Sequence, residues 1–168
     1  MAITKIQSES LNLADDFAFT GTITGAGESN TPVFNATLSA RQSGIPSDTN
    51  TKINFDQTTV NVGNCYNTTT YRFTPNVAGI YFFQATFGIP SGTDWDNNQA
   101  QIYKNGSSIV RSSNFQTSNS SSKAFAIDEA NGTTDYYEMY IYWNGGGNQE
   151  VDNANGRTYF QGFLISKT

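Results

Sequence analysis

From residue 31 onward, apolar and polar residues alternate in short runs broken by Gly, Pro, Asn and Asp. That is the period of strands with a buried face, not of helices. The runs predict strands over 32–40, 51–55, 71–75, 79–87, 100–104, 107–111, 123–127, 135–143 and 157–166. Asn105-Gly106 between two of them is the preferred pair for a tight hairpin turn. Segments 44–50, 61–66, 88–98, 112–122 and 145–156 read as loops, and no repeat of 20–50 residues occurs.

Two strands are apolar on both sides. In 79–87, Tyr81, Phe83, Ala85 and Phe87 share one face, while Ile80 and Phe82 lie on the other with Gln84 and Thr86. In 135–143, Tyr137, Met139, Ile141 and Trp143 oppose Tyr136, Glu138, Tyr140 and Tyr142. One face fills a sandwich core, so the second needs another covering surface. Residues 1–31 are set apart. Ile3, Ile6 and Leu11 are irregularly spaced, and one short strand from Phe17 through Phe19 to Thr24 ends in a Gly-rich linker. A lone strand cannot build a core, so 1–31 is expected to be an attachment segment and 32–168 the domain.

Composition sharpens this picture. Aromatic residues make up 14% of the 168 and charged residues only 14%, against about 25% charged in ordinary globular chains. The net charge of −5, with no Lys/Arg cluster, removes a nucleic-acid footprint. No apolar run approaches the ~20 residues of a membrane span, and Met1 to Ser10 has no apolar core of a secretory signal. The chain has no histidine, which excludes Ser–His and Cys–His nucleophiles and His-ligated zinc. Cys65 is alone and reads as a small buried thiol.

Six stretches then fall in a recognisable order. They are Phe34-Asn-Ala36, Ile53-Asn-Phe55 with Asn61, Phe73-Thr-Pro75 running into Ala78-Gly-Ile-Tyr-Phe82, Ile102-Tyr-Lys-Asn-Gly106, Asp135-Tyr-Tyr-Glu-Met139, and Phe160-Gln-Gly-Phe-Leu164. From Thr31 to the end the chain resembles the globular head of the complement C1q family, of the C1q/tumour-necrosis-factor type. It departs from the family in Thr134, where a Gly is usual, in the aromatic 136–143 strand, and in lacking a collagen-like Gly-X-Y stalk. The resemblance implies an all-β jelly-roll sandwich of about ten strands, assembled as a homotrimer. It would place Ile80, Phe82, Tyr136, Glu138 and Tyr140 toward neighbouring subunits. The low charge and Asn/Ser/Thr/Gly-rich loops are similar to C1q-like modules of bacteriophage virion proteins, and the leader resembles segments of phage structural proteins.

Candidate chemistry is sparse. Asp94, Trp95 and Asp96 form a possible ligand loop: the carboxylates, with Asn97 and Asn98, are hard oxygen donors of the kind Ca²⁺ takes, and Trp95 suits stacking on a sugar ring. No EF-hand spacing accompanies them, so no metal or cofactor is assigned. Asp128-Glu129 and Asp135 with Glu138 are the pairs a glycosidase would need, without a cleft signal beside them. The expected function is a non-enzymatic virion surface protein, anchored through Ile3, Ile6, Leu11, Phe17 and Phe19 to other virion proteins. It would act as a capsid decoration or head fibre, or as a short tail fibre or knob touching a host glycan or protein, without membrane insertion. A free lectin-like module is the alternative.

Overall fold

The computed structural model describes residues 31–90, 95–112, 114–116, 121–153 and 156–168. Alternating side chains fold these residues into strands β1 (Val33–Thr37), β2 (Gln42–Pro46), β3 (Thr51–Lys52), β4 (Gln57–Val62), β5 (Tyr66–Asn67), β6 (Arg72–Phe73) and β7 (Gly79–Gly88). After these come β8 (Trp95–Lys104), β9 (Ser107–Arg111), β10 (Asn114–Gln116), β11 (Ser121–Ala130), β12 (Tyr137–Asn144), β13 (Asn148–Val151) and β14 (Tyr159–Lys167). One sheet runs β11-β7-β14-β1-β4; the other runs β10-β8-β12-β6-β5, with β9 on β8 and β3 on β12. A small β13-β2 ribbon closes one end.

The two sheets bury their facing sides in one aromatic core. Phe34 of β1 stacks on Phe73 of β6 at 4.4 Å, and Phe83 of β7 stacks on Tyr137 of β12 at 4.2 Å. Such ring pairs add about 0.5–1.5 kcal/mol beyond their area burial. Gly162 on β14 is required by this packing. A Cβ there would stand 2.7 Å from the Phe82 carbonyl oxygen and 2.9 Å from Phe34 Cε1. At the β8–β9 hairpin, Asn105 and Gly106 both take positive φ, at 51° and 82°, as the tight turn demands.

Several expected loops turn out to be strands. β2 runs into the expected 44–50 loop and β13 lies inside the expected 145–156 loop, because each pairs with the other across the sequence. The indole of Trp143 donates to the Ile45 carbonyl at 3.2 Å beside that ribbon. β4 extends an edge through Asn61, β10 occupies part of the serine-rich stretch, and β8 begins at Trp95, well inside the expected 88–98 loop. The expected 51–55 strand shrinks to β3, although Ile53 and Phe55 are fully buried. The strand expected from Asp135 begins at Tyr137, since Asn131 Oδ1 holds the amides of Thr133, Thr134 and Asp135 in a turn.

Candidate interaction faces

The outer side of the five-stranded sheet is apolar along one row that crosses every strand. Ile127 pairs with Phe82, Phe82 with Phe163, Phe163 with Val33, and Val33 with Val62. The Phe82 ring lies 5.4 Å from Phe163 and 6.4 Å from Phe125. Val60, Val62, Phe125, Ile127, Phe163 and Ile165 are each 40–68% exposed on this side. Among the described residues, Ile109 is the one other large apolar side chain left so exposed. A contiguous greasy patch of this kind marks an interaction surface.

The next row on the same face is polar at its centre. Gln161 Nε2 donates to Gln84 Oε1 at 2.9 Å, and Gln84 Nε2 donates to the Tyr159 hydroxyl at 2.7 Å. Beside them Asn35 Oδ1 is buried with no partner within the described residues. Buried acceptors without a donor are costly, so this face offers a neighbour one hydrogen-bonding position at the edge of its apolar row.

The outer side of the seven-stranded sheet is built differently. Its projecting residues on β12 are Glu138, Tyr140 and Tyr142, opposite Tyr103, Gln101 and Gln99 of β8. Tyr103 and Tyr140 stack at 4.1 Å. Arg72 lies 4.0 Å above the Tyr136 ring and donates from Nε to Glu138 Oε1 at 2.8 Å, while Lys52 Nζ donates to the same oxygen at 3.0 Å. Glu138 is consequently buried under two cations of its own chain, its side chain 2% exposed.

The five residues expected toward neighbouring subunits lie on two different sides of the sandwich. Ile80 and Phe82 project from β7 on the apolar face, whereas Tyr136, Glu138 and Tyr140 lie at β12 on the opposite side of the sandwich. The reason is topological: β7 and β12 belong to different sheets, so their non-core sides point away from one another. Sequence reasoning missed Phe125, Ile127, Phe163, Val33 and Val62. The spacing of Phe125 and Ile127 by two, with alanines between and before them, was the available signal.

Ile3, Ile6, Leu11, Phe17 and Phe19 lie outside the described residues, as does Asp94. Trp95 and Asp96 open β8, with the Asp96 backbone opposite Asn144. Of the carboxylates considered for hydrolysis, Asp128, Asp135 and Glu138 are engaged internally, while Glu129 is exposed. Asp128 stands 2.8 Å from Lys104 Nζ and accepts from the Tyr137 hydroxyl at 2.6 Å. Asp135 is 3.4 Å from Lys104 Nζ and accepts from Asn105 Nδ2 at 2.8 Å. Burial pushes the Asp135 carboxyl up, but the donors Asn105 and Asn131 and the Lys104 charge outweigh it and leave it below its ordinary value. Glu138 belongs to the separate Lys52–Arg72 cluster. Cys65 is buried, and that burial pushes its thiol up to about 11, so it stays protonated at neutral pH.

A family model described as the C1q domain matches residues 33–165. No curated protein sequence matches the chain. Among solved structures, the globular domain of zebrafish complement 1qA protein superposes with a TM-score of 0.60 at 15% identity, covering 82% of this chain and 99% of that one. Murine APRIL gives 0.60 at 11% identity, covering 80% and 99%. The PRD1 vertex protein P5 gives 0.59 at 13% identity, covering 84% and 100%. At such identities the likeness establishes a shared fold.

Proposed function

Since this chain belongs to the C1q domain family, we propose that it is a non-enzymatic, homotrimeric surface module of a virion. The observation that carries this reading is the apolar row Ile127–Phe82–Phe163–Val33–Val62. Each buried aromatic side chain contributes roughly 2–3 kcal/mol, and identical copies meeting around one axis hide these rows against each other. Ile80 and Phe82 then serve the contact between copies, while Tyr136 and Tyr140 face outward with the rest of the seven-stranded sheet. Likeness of fold to a vertex protein supports the particle setting.

Residues 1–31 attach the trimer to the particle through Ile3, Ile6, Leu11, Phe17 and Phe19. The outward sheet and the Asp94-Trp95-Asp96 stretch are left to meet host-surface molecules. Capsid decoration, head fibre and short tail fibre are alternative positions for the same module, and labelled electron microscopy of particles assigns one. The test of the whole reading is removal of 1–31, which leaves the trimer intact and abolishes incorporation into particles. Retained incorporation without 1–31 would refute the anchoring role. A free ligand-binding module is the second reading, favoured by the tyrosine- and amide-rich outer sheet; it predicts that the truncated chain keeps all its activity.

A further inference from the structure

The outer face of the seven-stranded sheet holds a cleft of about 330 Å³ lined by Asn50, Asn97, Gln99, Gln101, Arg111 and Tyr142. That volume lies at the small end of ligand sites. We propose that this cleft binds a pyranose sugar carrying a carboxylate.

Its lining has the chemistry such a ligand needs. The side-chain amides of Asn50, Asn97, Gln99 and Gln101 gather planar hydrogen-bonding groups on one surface, which suits the paired hydroxyls of a sugar ring, and the Gln101 nitrogen ties three of them together through Asn50 and Gln99. Tyr142 supplies a half-buried ring against which the C–H face of a pyranose can pack. Its hydroxyl is spent on Asp48 Oδ1 at 3.0 Å, which fixes the ring's position. Arg111 is exposed and appears in none of the ion pairs among the described residues. A guanidinium in that state is a ready two-pronged partner for a carboxylate. Asp48 is the nearby opposing charge, and donors from Tyr142, Asn144 and Ser47 already occupy it.

Two further observations point to a ligand instead of an ordinary polar surface. Gln101 is 1% exposed, and its Nε2 donates to Asn50 Oδ1 at 2.9 Å and Gln99 Oε1 at 3.3 Å, yet its Oε1 has no partner. A sugar hydroxyl reaching this oxygen relieves a cost of the unmade bond. Arg111 is the cross-strand neighbour of Gln101, so the same ligand touches both once the exposed guanidinium turns onto its carboxylate. Asn97 is the extra residue where the β8–β12 register shifts, and its φ is +38°. Bulges re-aim side chains at functional sites, and this one lies in the cleft lining.

The inference deepens the outward-facing role proposed above for this sheet. It is tested in solution on the full chain, with methyl glucuronide as probe, methyl glucoside as neutral control, and saturation-transfer NMR as readout. The glucuronide is expected to bind saturably, and Arg111→Gln to weaken it at least about tenfold while leaving the glucoside signal unchanged. Tyr142→Ala is expected to reduce both. No saturable glucuronide signal up to about 10 mM, or one indifferent to Arg111→Gln, overturns the proposal. Sedimentation of the same samples separates the two readings: a trimer that binds no sugar overturns the cleft alone, whereas a monomer that binds glucuronide overturns the trimer and upholds the cleft.

Discussion

On the outer side of the five-stranded sheet, the residues that alternate with the core are Ile127, Phe82, Phe163, Val33 and Val62. On the outer side of the seven-stranded sheet, the corresponding positions hold Tyr103, Tyr140, Tyr142, Gln99 and Gln101 around the buried Glu138. Both sheets use the same period and share one core. They differ in whether the projecting side chains can satisfy water. Phenylalanine, isoleucine and valine cannot, so that face is complete only when another surface covers it. Tyrosine and amide side chains have both an apolar body and hydrogen-bonding groups, so the second face is stable in solvent and still able to grip a ligand. An apolar strand side therefore has two different meanings, and the polar tips decide between them.

The comparison breaks most visibly at Phe82. Phe82→Asp places a charge in the middle of the apolar row, where burial without a partner is costly. It removes roughly 2–3 kcal/mol per copy of aromatic burial as well. Sedimentation velocity is expected to show monomers, while Tyr140→Ser on the other sheet keeps the trimer. Glu138→Gln comes next in size. It leaves Lys52 and Arg72 without their shared carboxylate, and urea unfolding is expected to show a loss of about 1–3 kcal/mol with no change in assembly.

Tyr103→Ala removes the stack on Tyr140 and is expected to cost about 0.5–1.5 kcal/mol beyond lost area, read by the same unfolding curve. The smallest effect concerns the loop end that serves both sheets. The Asp135 carboxyl titrates below its ordinary value of 3.8 in the folded chain, so it binds a proton less readily folded than unfolded. Its contribution is present above 3.8 and is lost as pH falls through the lower folded value. Asp135→Asn is expected to flatten part of the acid fall in the urea midpoint.

The sequence made the core and the fold class readable because both are written in local alternation. Spacing puts Tyr81 with Phe83 on one face and Tyr137, Met139 and Ile141 on another, the family resemblance turns those faces to the core, and all five are buried. The Asn105-Gly106 turn was equally local. What alternation does not encode is which sheet a strand joins. β7 and β12 each showed an apolar second side, and nothing within either segment says that those sides face opposite directions. The β2–β13 ribbon escaped for a related reason: its pairing joins two short, largely polar segments about a hundred residues apart, neither of which reads as a strand by itself. The Gln101 cleft was illegible because its residues come from β8, β9, β12 and the turn before β3.

The measurement that bears most directly on the central claim is sedimentation equilibrium of the intact chain at micromolar concentration. Association into a three-chain particle that resists dilution is the predicted result. A well-folded single chain under the same conditions, leaving Phe82, Phe125 and Phe163 in water, would contradict it.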